Sequence, residues 1–397
     1  MLSLSFEEAR ACVLEQTRAR AKTPGAESIP ALQSAGRVLA EDILADRDYP
    51  PFPRSARDGY AVRSADLPGE LRIIGEVRAG QVFVGDVKAG EAVEIMTGAP
   101  LPDGADAVVM IEQTERSGDR LRIDRAHASG DNFNPRGLEA AAGAIVMKPG
   151  QRLGFAEIAL LATVGRTSVK VYRRPRVAVL PTGDEVVEAG EMPQPFQIRN
   201  SNAWSLAVQV ERAGGDPNIL AIARDTHEST RALVEQGLTH DLLLLSGGVS
   251  AGKYDVVEQV LGDLGGDFFF TRVRIQPGQP VVFGAARGTL FFGLPGNPAS
   301  TMVTFEVFAR AAVELLGGAS DATLPMLHAR MWKGFRQKPG LTRFLPAHVT
   351  HDGATVEPLT WHGSGDVASL ARANAFIVTE PDRETWSTGD WIRVILK

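Results

Sequence analysis

The spacing of apolar positions changes character several times along the chain, and each change marks a structural unit. Over residues 5–22, Phe6, Ala9 and Val13 fall on one helical face, and Ser5 with Glu8 predicts a capping box at its start. Residues 31–44 carry a second helical pattern. The stretch "DRDYPPFPRSARDGYAV" (46–62) is too rich in proline for a helix or a central strand. From residue 70 to about 150 the pattern is one of short strands with turns at Ala79-Gly80, Ala89-Gly90 and Pro102-Asp103-Gly104, which predicts a small β unit. Helical spacing returns at 154–165, where the chain is expected to rejoin the N-terminal elements and leave the β unit as an insertion.

A different pattern begins at "RRPRVAVLPTGDE" (173–185), a buried strand running into a Gly-Asp turn. Helical patterns follow at 202–213 (with Asn202 as its cap), 227–238, 253–264 and 297–316. Strand patterns lie at 219–223, 241–246, 268–275 and 289–294. Alternating strands and helices predict an α/β unit, a doubly wound parallel sheet with helices on both faces. From residue 322 onward the pattern is β-rich again. Four units result: a discontinuous N-terminal helical and linker domain (1–45 and 146–172), a β-rich inserted domain (46–145), the doubly wound domain (173–320) and a C-terminal β domain (321–397).

Composition narrows the function. A chain of 397 residues with 44% hydrophobic and 23% charged residues is globular and multidomain. Its net charge of −6 argues against nucleic acid as a partner, so any anionic ligand needs a local positive field. One cysteine, Cys12, excludes an internal disulfide and a cysteine-built metal site, and its place on the first helix predicts a packing role. The acidic start and the lack of a long apolar run predict no membrane association and a cytoplasmic protein.

Candidate chemistry gathers where strands of the α/β pattern end, the usual ligand-binding edge of such sheets. Four turns fall there: Thr182-Gly183-Asp184-Glu185, Arg224-Asp225, "SGGVSAGKYD" (246–255), and Pro295-Gly296-Asn297-Pro298. A glycine turn such as Ser246-Gly247-Gly248 exposes backbone N–H groups that suit a phosphate, and Ser250 lies in the same loop. Asp255 is a poor neighbour for an anion unless a cation lies between them. Glu185, Asp225 and Asp255 form a set of hard oxygen donors suited to Mg²⁺. In the β unit Asp58-Gly59 reads first as a turn and Thr97-Gly98 as a strand end, while the seven histidines are scattered and none is assigned to catalysis.

"SARDGYAV", "IMTGAPLPDGADAVV", "RVAVLPTGDEVV", "SGGVSAGKYD", "IQPGQPVVFG" and "GLPGNPAS" together resemble the molybdopterin molybdenumtransferase family, which includes MoeA proteins and the gephyrin E domain. The resemblance runs in order over nearly the full length. It implies a homodimer that takes adenylylated molybdopterin and molybdate, releases AMP and leaves molybdenum on the dithiolene. It implies catalytic roles for Asp58, Thr97, Glu185, Asp225 and Asp255, with Mg²⁺ on Glu185 and Asp255. Substrate contacts are implied for Thr182, Gly183, Ser246, Gly247, Gly248, Ser250, Pro295, Gly296, Asn297 and Pro298. Asp58 and Thr97 are expected to come from the second subunit, and a molybdopterin adenylyltransferase is an expected partner. The sequence departs from the family pattern at Gln276 and Gln279, where members commonly carry lysine, and at Lys253, where an acid is usual. The alternatives are a paralogue acting on another oxyanion or step, and a gephyrin-like binding scaffold.

Overall fold

The computed structural model describes residues 3–248 and 256–397. Its N-terminal helix (Phe6–Arg20) begins with the expected capping box: Ser5 Oγ accepts from Glu8 N–H at 3.2 Å, and Glu8 Oε2 accepts from Ser5 N–H at 2.7 Å. Those bonds to the charged form hold the Glu8 carboxyl below its usual range. Phe6, Ala9 and Val13 are buried, and Cys12 packs beside them as an apolar side chain. The helix packs against the 305–316 segment of the central unit. Phe6 lies with its ring centroid 5.9 Å from Phe308 and 5.3 Å from Phe344. Arg10 donates to the carbonyls of Val307 (2.8 Å) and Ala322 (2.5 Å). The helix therefore joins the central unit to the C-terminal unit.

Residues 31–44 are not the expected helix. They form one 3-10 turn (Ala31–Gln33) and a short strand (Ile43–Leu44), with Leu32 85% exposed. Their backbone bonds go to a distant segment instead: Leu39 N–H donates to Gln151 O and Ala40 N–H to Lys170 O. Pro30 and Gly36 break the helical run on either side. The strand Ala26–Pro30 pairs antiparallel with Ser168–Tyr172, so the N-terminal segment meets the chain again after the β segment. That segment holds a six-stranded sheet in which Gly59–Val62 lies between Ala107–Met110 and Glu91–Ile95.

The central unit, with its own elements numbered in order, contains β1 (Arg176–Pro181), α1 (Ser201–Ala213), β2 (Asp216–Ile219), α2 (His227–Gly237) and β3 (Leu242–Ser246). After these come α3 (Val256–Asp263), β4 (Asp267–Phe270), β5 (Val282–Ala286) and β6 (Thr289–Leu294). The strand order is β2-β1-β3-β6-β5-β4. Side chains alternate by face, as a sheet covered on both sides requires. Val177, Val179, Leu242 and Leu244 pack with Leu206 and Val210 of α1. Ala178, Leu180, Leu243 and Leu245 pack with Val234 of α2 and Val260 of α3.

Two expectations need correction. The sheet is mixed rather than wholly parallel, because β5 runs antiparallel to both β6 and β4. Only Arg287 and Gly288 connect β5 to β6, both with positive φ (49° and 84°), and so short a link permits only a hairpin. The strand pattern at 268–275 is also split. Asp267–Phe270 closes the central sheet, whereas Ile275–Gln276 pairs with Thr342–Arg343 of the C-terminal unit. That unit curls into a barrel-like sheet, because Thr342–Val349 pairs with both Thr355–Pro358 and Ala375–Val378. Among the described residues no helix is long and apolar enough to cross a membrane.

Phe6→Ala should lower stability by about 3–5 kcal/mol, since it empties an aromatic site shared by two units. Hydrogen exchange should show the 305–316 segment opening more readily. Unchanged protection there would mean that the helix is not the joint described.

Candidate active site

The site is built where β1, β3 and β6 end together. Pro181 lies opposite Ser246, and Ser246 opposite Leu294, so three chains leave the sheet at one level. Thr182 N–H donates back to Ser246 O at 3.1 Å and Gly247 N–H to Leu294 O at 3.0 Å, so the three turns stay tied to one another just past the strand ends. Gly247 has φ 99°, and a Cβ there would lie 2.9 Å from Thr182 Oγ1 and 3.0 Å from Thr182 O. Only glycine lets the two turns come this close.

A cleft of about 620 Å³ opens between these turns, within the usual range for small-ligand pockets. Thr182, Gly183 and Glu185 line it from the first turn, and Asp225 from the turn after β2. Ser246, Gly247 and Gly248 line it from the third turn, and Pro295, Gly296, Asn297 and Pro298 from the fourth. The N–H groups of Gly248, Gly296 and Asn297 make no hydrogen bond among the described residues and remain available to an anion. Ser250 and Asp255, with Lys253, lie outside the described residues.

The two acidic side chains that line the cleft among the described residues differ. Asp225 is tied into its loop: its Oδ2 accepts from Asp184 N–H at 3.3 Å, and its own N–H donates to Asp184 Oδ1 at 3.2 Å. Glu185 makes no side-chain hydrogen bond or ion pair among the described residues and is exposed to the cleft. No group of three or more His, Cys, Asp or Glu side chains among the described residues converges on a point. A free carboxylate beside vacant N–H donors nevertheless fits Mg²⁺, which commonly takes one or two carboxylates and completes its shell with water and substrate phosphate.

Asn202 has a role that sequence reasoning missed. Helix α1 is capped by Asn200, whose side chain accepts from Ala203 N–H, and not by Asn202. Two residues further on, Asn202 Nδ2 donates to Ser246 Oγ (2.9 Å) and to Gly296 O (2.7 Å), fastening the third turn to the fourth. Its Oδ1 is buried without a partner, a cost of about 1–3 kcal/mol. The Asn-Ser-Asn run was the available signal, but a cap and a cross-link look alike without the facing strands.

Asp58 and Thr97 do not line this cleft; they meet each other in the β segment. Thr97 N–H and Oγ1–H both donate to Asp58 Oδ1 at 2.7 Å. These bonds hold the Asp58 carboxyl below its usual range, so it stays ionised in neutral and mildly acidic solution. A smaller cavity of about 470 Å³ adjoins the cleft through Pro280, Pro295 and Asn297. Gln276 and Gln279 line it, and Arg343 Nη1 donates to Gln276 Oε1 at 2.8 Å. Burial lowers the pKa of this guanidinium.

Comparison with known proteins covers nearly the whole chain. Residues 4–165 match the model of the MoeA N-terminal region (domain I and II), 178–315 a probable molybdopterin binding domain, and 328–397 the MoeA C-terminal region (domain IV). A molybdopterin molybdenumtransferase of Staphylococcus aureus strain Mu50 is 34% identical over 384 residues, covering 93% of this chain and 92% of its own. That of Staphylococcus epidermidis strain RP62A is 35% identical over 374 residues, covering 92% and 89%. Two solved structures of molybdopterin biosynthesis MoeA proteins from Pyrococcus horikoshii align along all of this chain. One has a TM-score of 0.81 at 27% identity and covers 100% of the solved chain, and the other 0.71 at 33% with 99%. By sequence, by fold and by the order of its domains, the chain belongs to the molybdopterin molybdenumtransferase family.

Proposed function

We propose that the protein inserts molybdenum: it binds adenylylated molybdopterin and molybdate, releases AMP, and leaves the metal on the dithiolene for molybdenum cofactor biosynthesis. The observation that carries this reading is the cleft itself, lined both by N–H groups of two turns and by the Glu185 carboxylate, all without partners among the described residues. Such a site takes a phosphoanhydride at its donors and a cation at its acid. The phosphate end is held by the N–H groups of Gly248 on one side and of Gly296 and Asn297 on the other, with Thr182, Gly183, Ser246 and Gly247 lining the cleft beside them and Pro295 and Pro298 stiffening the fourth turn. Asn202 keeps the two sides at a fixed separation. Glu185 and Asp255 would hold Mg²⁺, which when bound supplies Lewis-acid neutralisation of the phosphoanhydride charge. Asp225 positions the Asp184-Glu185 turn through its paired bonds to Asp184.

Molybdate belongs in the adjoining cavity. There the missing family lysines are replaced by amide groups of Gln276 and Gln279, with Arg343 as the nearby cation held by Gln276. Amide N–H groups and one guanidinium bind an oxyanion with less charge than two lysines provide.

Asp58 and Thr97 act from a second subunit. Two features support a homodimer: their ionised, pre-positioned pair lies away from its own chain's cleft, and apolar side chains are exposed beside that cleft. Trp204 and Val208 on α1, and Met192, Phe196 and Ile198 on the preceding loop, all face solvent. The compartment is the cytoplasm, and a molybdopterin adenylyltransferase that makes the substrate is the natural partner.

Incubation with adenylylated molybdopterin and molybdate should release AMP and yield the metallated pterin. Glu185→Gln should reduce the rate about 10²-fold with the fold intact. No AMP release from the unaltered protein, or full activity in the variant, would overturn the assignment.

Mixed dimers of Asp58→Ala and Glu185→Ala chains, each inactive alone, should recover part of the activity by forming one intact composite site. Verified mixed dimers without activity would place Asp58 and Glu185 in separate functions.

A further inference from the structure

The central sheet carries a second large cavity at its opposite edge, where no family residue is assigned. About 610 Å³ in volume, it lies at the amino ends of β1, β3 and β6, lined there by Arg176, Asp241 and Thr289. Its other wall is the end of the N-terminal helix with residues 22–25, and the 173–175 segment that links Ser168–Tyr172 to β1.

The charge in this basin is one-sided. Arg20, Lys22, Arg173, Arg174, Arg176 and Arg287 line it, against Asp241 as the single acid. The Asp241 carboxylate already accepts from Arg176 N–H at 2.7 Å, and Arg287 is paired with Glu235 at 3.0 Å. The other five cations make no ion pair among the described residues, although Glu27, itself paired with Arg37, is within electrostatic reach of Arg173 and Arg174. Arg20 bonds to Gln16 and lies over the Phe269 ring, and Arg176 donates to Thr239 O. Lys22, Arg173 and Arg174 have no side-chain hydrogen bond among those residues. In a chain of net charge −6, concentrating like charges in one concavity is self-repulsive and is relieved by a bound anion.

We propose that this basin binds a small ligand of nucleotide size bearing more than one phosphate, at a site separate from the active cleft. Guanidinium forks match phosphate oxygens two at a time, and several of them together favour a polyphosphate over a single carboxylate. Pro24 and Leu316, both partly exposed, add apolar lining, on which a ring packs better than an extended acidic chain. The volume lies within the usual range for small-molecule sites. Because the cations come from the N-terminal helix, the linker and the sheet edge, a bound ligand ties the linker to the central unit.

The test is photolabelling of the full chain with azido-ATP, followed by peptide mapping. Label is expected in 20–25, 173–176 and 287–290, competed by ATP and by pyrophosphate. Arg173→Glu with Arg174→Glu should weaken that labelling about tenfold, and the milder Arg173→Gln with Arg174→Gln should weaken it less. Label confined to 182–185, 246–248 and 295–298 would overturn the proposal, as would labelling of the basin that both double variants leave intact. Competition by hexaglutamate at a lower concentration than pyrophosphate would also overturn it, since the basin would then be a surface for an acidic protein segment.

Discussion

The register of three neighbouring parallel strands is the constraint on which the rest depends. Once β1, β3 and β6 are aligned so that Pro181, Ser246 and Leu294 lie side by side, the chain must make three turns at one level. Leucine and valine on both faces hold that alignment, because a one-residue slip would exchange every buried side chain between faces. The turns then have room only for small residues where they touch, which is why Gly247 sits against Thr182. A cleft with backbone donors on its walls follows from this packing.

The charge distribution is organised around the same sheet. At its carboxyl end the cleft is lined by N–H groups and by a Glu185 carboxylate that have no partners among the described residues, an arrangement that attracts both an anion and a cation. At its amino end the strand starts and the linker collect arginines with little acid to offset them. Between the two ends the core is apolar and includes Phe283 stacked on Phe292 at 4.5 Å. The N-terminal helix adds Phe6 to this core and extends it to Phe344 in the C-terminal unit. The barrel thereby rests against the sheet that carries the cleft, and Ser364 O accepts from Ala299 N–H beside the fourth turn.

Much of the central unit was legible in the sequence, because buried parallel strands leave short apolar runs that end in glycine turns. The turns at Thr182, Ser246 and Pro295 could be placed at one sheet edge from alternation alone. The helix expected over 31–44 failed because its apolar spacing serves β-like contacts to residues separated by more than a hundred positions. Val282–Ala286 was missed because a run containing glycine resembles a loop until its hairpin partner is known. The reach of Asn202 between two turns was invisible for a related reason, since it depends on which strands are neighbours. Asp58 and Thr97 were singled out only through the family resemblance, because a turn and a strand end 39 positions apart give no sign in the sequence that they meet; the structure brings them within hydrogen-bonding distance.

The central claim is that the aligned strand ends bind the adenylylated pterin. Hydrogen exchange of the full chain, with and without adenylylated molybdopterin, tests this most directly. The account predicts slowed exchange at Gly248, Gly296 and Asn297, whose N–H groups make no hydrogen bond among the described residues. Exchange at these three amides that the substrate leaves unaltered, under conditions where it is bound, would contradict it.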